Sequence, residues 1–148
     1  MYDVGQSLHV NCELQQTHPV RPEANIMKVA IDPVSAITIR HVERGAVTIG
    51  DEVIRENVVL LRDRIVRDWV AKDLHALTVT DLGDALAHQP EIILLGTGWE
   101  NRLPPRELVF ALARRGIGLE TMDTPAACRT FNILVSEERN VAALLVIK

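Results

Sequence analysis

Apolar and polar positions divide the chain at about residue 78. Residues 36–70, AITIRHVERGAVTIGDEVIRENVVLLRDRIVRDWV, are rich in Val and Ile and alternate over short stretches. That is the pattern of strands with one buried face. Ile37-Thr38-Ile39 is one expected strand, 46–49 and 52–54 flank a Gly50-Asp51 turn, and 58–61 and 65–69 follow around Arg62-Asp63-Arg64. Together these predict a small antiparallel meander.

Beyond Thr78 the apolar spacing becomes helical. Thr78-Val79-Thr80-Asp81 reads as a capping box with Asp in place of Glu. Leu82, Ala85 and Leu86 then share one face of a helix ending near His88, before Pro90. Residues 91–95 form a continuous apolar run, as in a strand buried on both faces. Pro105 suits the first turn of a helix that packs through Leu108, Ala111 and Leu112; Arg114-Arg115 favour its C-terminal dipole and Gly116 ends it. Residues 117–122 are the next strand, Asp123-Thr124-Pro125 caps a helix running to about Glu137, and 141–147 is the last strand. The second half therefore predicts β-α-β-α-β, a three-layer α/β unit. Residues 1–25 carry no sustained period, and QQTHPVRPEAN is polar with two prolines. The expected organisation is a loosely ordered N-terminal arm over 1–34 and a single α/β domain over 35–148, with Met27 as an alternative start.

Composition narrows the picture. The 148 residues are enough for one domain with its own core, and with 3% aromatic residues that core must be aliphatic. A net charge of −4 argues against broad binding to nucleic acid or anionic membrane. Cys12 and Cys128 lie far apart without metal-ligand spacing, which excludes a disulfide scaffold. No apolar run approaches the ~20 residues that span a bilayer. Residues 1–25 hold no apolar signal core, and Asp3, Glu13 and Glu23 spoil a transit peptide. The expectation is a cytoplasmic protein with no transmembrane segment.

Two stretches carry candidate chemistry. Gly96-Thr97-Gly98 follows a buried strand, where open α/β sheets hold ligands. It lacks the third glycine of a dinucleotide motif and the lysine of a P-loop, and the next helix starts only near Pro105. A structural turn is the preferred reading; a small anion or polar ligand helped by Asn101 and Arg102 is the alternative. In MDTPAACRTFNIL, 122–134, the helix start at Asp123 and Thr124 offers free N–H groups, with Cys128 and Arg129 in the first turns. Cys128 reads more readily as a buried filler against Phe131 and Leu134, and Asn132 as a hydrogen-bonding partner of a neighbouring loop. Under the ligand alternative the set is thus Gly96, Thr97, Gly98, Asn101, Arg102, Asp123, Thr124, Cys128 and Arg129. His9, His18, His41, His75 and His88 show no metal spacing. Trp69 and Trp99 read as packing anchors. Neither a catalytic residue, a metal nor a cofactor is assigned.

The signature GTG, then Gly116-Ile117, Met122 to Leu134 and Glu137 to Leu145, resembles a family of small single-domain proteins of unknown biochemical function. That family includes the mitochondrial respiratory complex I assembly factor 3 proteins and an adipogenesis-associated protein. The resemblance spans roughly 35–147. It implies a three-layer sandwich around a mixed sheet whose last strand runs antiparallel to its neighbours, and no catalytic residues to carry over. Phe131 stands where many members have Tyr, and Glu138 where Gly is common, so that turn should differ. The preferred function is a non-catalytic binding or assembly-factor-like protein with other proteins as partners. The alternative is a small-molecule or anion-binding protein, or an enzyme, with its site between the GTG loop and the 124–136 helix. Homo-oligomerisation is left open by the sequence.

Overall fold

The computed structural model describes residues 37–70 and 73–148, and the expected arm, Cys12 and Met27 lie outside the described residues. Strands β1 (Ile39–Glu43), β2 (Ala46–Ile49) and β3 (Glu52–Ile54) form a three-stranded antiparallel sheet. Strands β4 (Val58–Leu61), β5 (Ile65–Val66), β6 (Ile92–Gly96), β7 (Gly118–Met122) and β8 (Val141–Leu145) form a second sheet in the order β5-β4-β8-β6-β7. Helices α1 (Gly83–Ala87), α2 (Arg106–Ala113) and α3 (Thr124–Ser136) complete the chain, with 3-10 turns at Leu74–Ala76 and Val79–Leu82. The expected α/β class and the β6-α2-β7-α3-β8 order are both present.

Side-chain alternation along the second sheet builds two cores. Val58, Leu60, Leu94, Ala143 and Leu145 face α3, whose Ala127, Cys128, Phe131 and Leu134 pack with Ile39, Val47, Ile49 and Ile54 of the small sheet. Val59, Leu61, Ile93, Leu95, Ala142 and Leu144 face the other way, onto Leu82, Ala85, Leu108 and Leu112. Period-two patterning in strands wrapped on both faces gives this result. The layers are therefore α1 and α2, then the mixed sheet, then α3 beside the small sheet. Asn132 ties α3 to β1: its Oδ1 accepts from the Ile39 N–H at 3.0 Å and its Nδ2 donates to the Ile39 carbonyl at 2.8 Å. The side-chain amide thus stands in for a neighbouring strand and satisfies a backbone pair left open at the sheet edge.

Four expectations are corrected. The last strand is antiparallel to β4 but parallel to β6. Helical crossovers through α2 and α3 force β6, β7 and β8 into one direction, whereas β4 arrives from the hairpin region. The meander is divided: β1 to β3 form their own sheet, while β4 and β5 join the main one. The first strand is β1 at 39–43, not 37–39, because a bulge between Ile39 and His41 interrupts the alternation. The turn at Glu138 keeps the left-handed conformation that favours Gly, with φ of 60° on a glutamate. Two smaller differences follow from local chemistry. The Thr78 N–H donates to the Asp81 carboxylate at 2.9 Å as a capping box would, but it opens a 3-10 turn before α1. Pro105 sits just outside α2 as its N-cap, its carbonyl accepting from the Leu108 N–H at 3.1 Å.

Candidate functional site

Because β6, β7 and β8 are parallel, their C-terminal ends lie along one edge, the crevice where open α/β sheets bind ligands. The GTG loop leaves β6 there and α3 begins there. The sequence caps α3 firmly: Asp123 Oδ1 accepts from the Ala126 N–H at 2.7 Å, and Pro125, which has no N–H, needs no acceptor in the first turn. This holds the Thr124 side chain against the loop. Its hydroxyl donates to the Val146 carbonyl at 2.6 Å and accepts from the Gly98 N–H at 2.9 Å. The Thr124 N–H donates to the Gly98 carbonyl at 2.7 Å, and Val146 N–H to the Gly96 carbonyl at 2.9 Å. Three chain segments are thereby joined through one buried threonine.

Thr97 closes the loop on itself. Its N–H donates to the Met122 carbonyl at 2.9 Å. Its hydroxyl donates to the Glu100 carbonyl at 2.7 Å and accepts from the Arg102 N–H at 3.1 Å. Gly98 carries φ of 88°, a backbone region that side chains strain. Gly96 answers a different need. A Cβ there would lie 3.0 Å from Thr124 Oγ1, 3.0 Å from Leu145 Cδ2 and 3.2 Å from Ala127 Cβ. The backbone amides of Thr97 and Gly98, which an anion would need, are already donating within the protein.

The expected ligand set is distributed rather than gathered. Gly96, Thr97, Gly98, Asp123 and Thr124 meet at the junction just described. Thr97, Gly98 and Arg102 border a cavity of about 390 Å³ that Asn57, Asp73 and Lys148 also line. Asn101 is exposed, and Arg102 points its guanidinium to Glu100 at 3.4 Å. Cys128 and Arg129 line a separate cavity of about 260 Å³ against Arg40 and His41 of β1. Cys128 is 1% exposed inside the core. Burial pushes its thiol up to about 12, outweighing the opposing pull of the neighbouring Arg129. At neutral pH it is a packed thiol, which matches the filler reading. Trp69 is buried and its Nε1 donates to the Asp81 carbonyl at 3.1 Å, as an anchor should. Trp99 departs from that expectation: it is 40% exposed, with the Arg44 guanidinium 5.3 Å from its ring centroid. Asn57 was not singled out by its local sequence. Its Oδ1 accepts from the Ile147 N–H at 2.8 Å, a bond across ninety positions that no spacing rule encodes.

Fold and junction define a small α/β protein whose GTG and Asp-Thr-Pro motifs fasten the strand ends to α3. The chain belongs to the DUF498/DUF598 family of proteins of unknown function, matched over residues 39–146. Among its relatives is NADH dehydrogenase [ubiquinone] 1 alpha subcomplex assembly factor 3 of Xenopus tropicalis, 36% identical over 107 residues, covering 70% of this chain and 56% of that one. Another is the 13 kDa major membrane protein of Francisella tularensis subsp. holarctica, 39% identical over 74 residues, 50% of this chain and 60% of that one. The chain therefore spans 56–60% of the length of these two curated relatives. A solved Xanthomonas campestris protein is 32% identical with a TM-score of 0.70, covering 78% of this chain and 88% of that one. Among the described residues, no helix is long and apolar enough to cross a membrane, and no group of three His, Cys, Asp or Glu residues is placed to hold a metal.

Proposed function

We propose that this chain is a non-catalytic binding protein of the assembly-factor type, working in the cytoplasm through contacts with other proteins. The observation that carries this reading is the junction. Thr124 fills the position between the GTG loop and α3 with its own hydroxyl, so the motif resembling a ligand cradle is engaged in holding the fold. The buried thiol of Cys128 supports the same reading, because a nucleophile needs both access and a thiolate. The relatives named as assembly factors favour protein partners. Affinity purification of the full chain from its native cell, with cross-linking and fractionation, tests this. A reproducible partner in the cytoplasmic fraction is expected; repeated recovery of the chain alone overturns the reading.

A second reading keeps a small-anion site at the strand ends, favoured by the cavity of about 390 Å³ where Thr97, Gly98 and Arg102 meet Lys148. Asn101 adjoins its lining in sequence, Thr124 next to the Asp123 cap reaches it through the bond to the Gly98 N–H, and Cys128 with Arg129 would join it only by rearrangement. Titration with inorganic phosphate followed by amide NMR decides between the two. Saturable shifts at Gly98 and Arg102 support the anion site, and an unchanged spectrum removes it. A thiol reagent at pH 8 should leave Cys128 unmodified until the chain is unfolded; rapid reaction in the native state would restore the nucleophile.

A further inference from the structure

The outer face of α2 has a chemistry that its fold does not use. The helix turns Leu108 and Leu112 into the core. On the opposite side Arg106, Phe110 and Arg114 follow one another at four-residue spacing, so they form one row, with Val109 and Ala113 beside it. Phe110 is 61% exposed, and Leu103, three residues before the helix, is 74% exposed. Scattered apolar residues on a surface are ordinary, but a phenylalanine between two arginines is the composition of an interface centre.

The arginines sharpen this. Several guanidinium groups elsewhere are engaged: Arg40 with Asp51, Arg67 with Glu52 and Glu56, Arg139 with Glu91, Arg102 with Glu100. The Arg106, Arg114 and Arg115 side chains have no carboxylate or hydrogen-bond partner among the described residues. Residues 106–115 hold three arginines against the single Glu107, in a chain whose net charge is −4. The patch is thus a positive island on a negative protein. A broad anionic membrane would meet the acidic remainder and be repelled, whereas a protein segment can contact the island alone.

We propose that the outer face of α2 is the docking surface for an acidic amphipathic segment of a partner protein, which seats Phe110 among its apolar side chains and sets carboxylates against Arg106, Arg114 and Arg115. This rests on the reading of the chain as a protein-binding protein and assigns the surface that does it. Arg offers carboxylates a two-pronged hydrogen-bonding fork, so the partner's acidic residues should flank its apolar stripe at helical spacing.

The test is an amide NMR titration of the full chain with a synthetic helical peptide of Leu and Glu. A Leu/Lys counterpart and vesicles of phosphatidylglycerol with phosphatidylcholine are run in parallel. Saturable shifts confined to 103–115 are expected with the acidic peptide, weakened by salt. Phe110→Ser and the double change Arg106→Glu with Arg114→Glu should each weaken binding by about tenfold or more, the second shifting preference to the Lys peptide. No binding, shifts elsewhere, stronger binding to the vesicles, or self-association of the chain through α2 each overturns the proposal. In the native-cell purification, partners cross-linked to other surfaces overturn this surface and leave the protein-binding reading standing. Recovery of no partner removes both.

Discussion

Helices α2 and α3 hold equivalent places in the topology, each carrying the chain between parallel strands, yet the two are built differently. The N-terminus of α3 is capped by the Asp123 side chain and locked by the Thr124 hydroxyl, and Asn132 further along ties the helix to β1. It buries Thr124, Ala127, Cys128, Phe131 and Leu134. By contrast α2 starts after Pro105 without a side-chain cap, buries Leu108 and Leu112, and presents Phe110 outward. The GTG and Asp-Thr-Pro motifs lie in the loop that α3 grips and at the start of α3 itself. Motif residues in this protein therefore mark where the fold is fastened, and the plainer helix leaves a surface free for contact. Substitutions on the two helices should separate these roles, with the heaviest consequences at the junction.

Gly96→Val should be the most damaging. Even a Cβ would press on Thr124, Leu145 and Ala127, and valine adds two methyl groups to that contact. Urea denaturation should show a loss of about 3 kcal/mol, at the upper end of the range for overpacking a core. A variant as stable as the wild type would mean that α3 can slide away from the strand ends, and the contrast between the helices would collapse.

Thr124→Val comes next. It keeps the shape but deletes a donor to Val146 and an acceptor for Gly98 in a buried position. Stranding those backbone groups should cost about 2 kcal/mol. Thr124→Ser, which retains the hydroxyl, should recover most of that loss. The pair separates the structural role from a ligand role, since the expected change in melting needs no ligand. If Val and Ser behave alike, the hydroxyl is not what fastens the junction.

A smaller effect of opposite sign is expected where α3 ends. Glu138 is held at φ of 60° while its N–H donates to the Val135 carbonyl at 3.0 Å. Replacing it with Gly should relieve the left-handed strain and stabilise the protein by about 1 kcal/mol. Thermal unfolding would register this as a raised midpoint. An unchanged or lowered midpoint would show that the Glu138 side chain compensates for its backbone.

These sites also show what a sequence makes legible. The β6-α2-β7-α3-β8 order could be read because each element carries its own signal: the apolar run at 91–95, Asp-Thr-Pro before α3, Gly116 after α2. Partition of the early strands could not, because β4 is assigned to the main sheet by pairing Val59 with Leu144. No local period reports a partner eighty-five positions away. The approach of the GTG loop to the start of α3 follows from topology alone, since both sit at the C-terminal ends of parallel strands. What fills the gap did not follow, because a threonine hydroxyl bridging Gly98 and Val146 depends on distances that only the folded backbone sets. The exposure of Trp99 was hidden for a similar reason: its companion Arg44 belongs to the turn between β1 and β2.

The smallest effect on stability should come from Phe110→Ser. A side chain 61% exposed contributes little to the core, and serine costs only a few tenths of a kcal/mol in helix propensity. The variant should therefore unfold within about 0.5 kcal/mol of the wild type, as surface changes usually do. The comparison with α3 then turns on binding. Thr124→Val should lower stability and leave any α2-dependent association intact at temperatures where the chain remains folded. Phe110→Ser should do the reverse, leaving stability intact and weakening association. If Phe110→Ser instead destabilises the chain by 2 kcal/mol or more, as core truncations do, then the phenylalanine is packed within the folded chain in solution. The outer face of α2 would then belong to the architecture, as α3 does, and the division of labour between the two helices would fail.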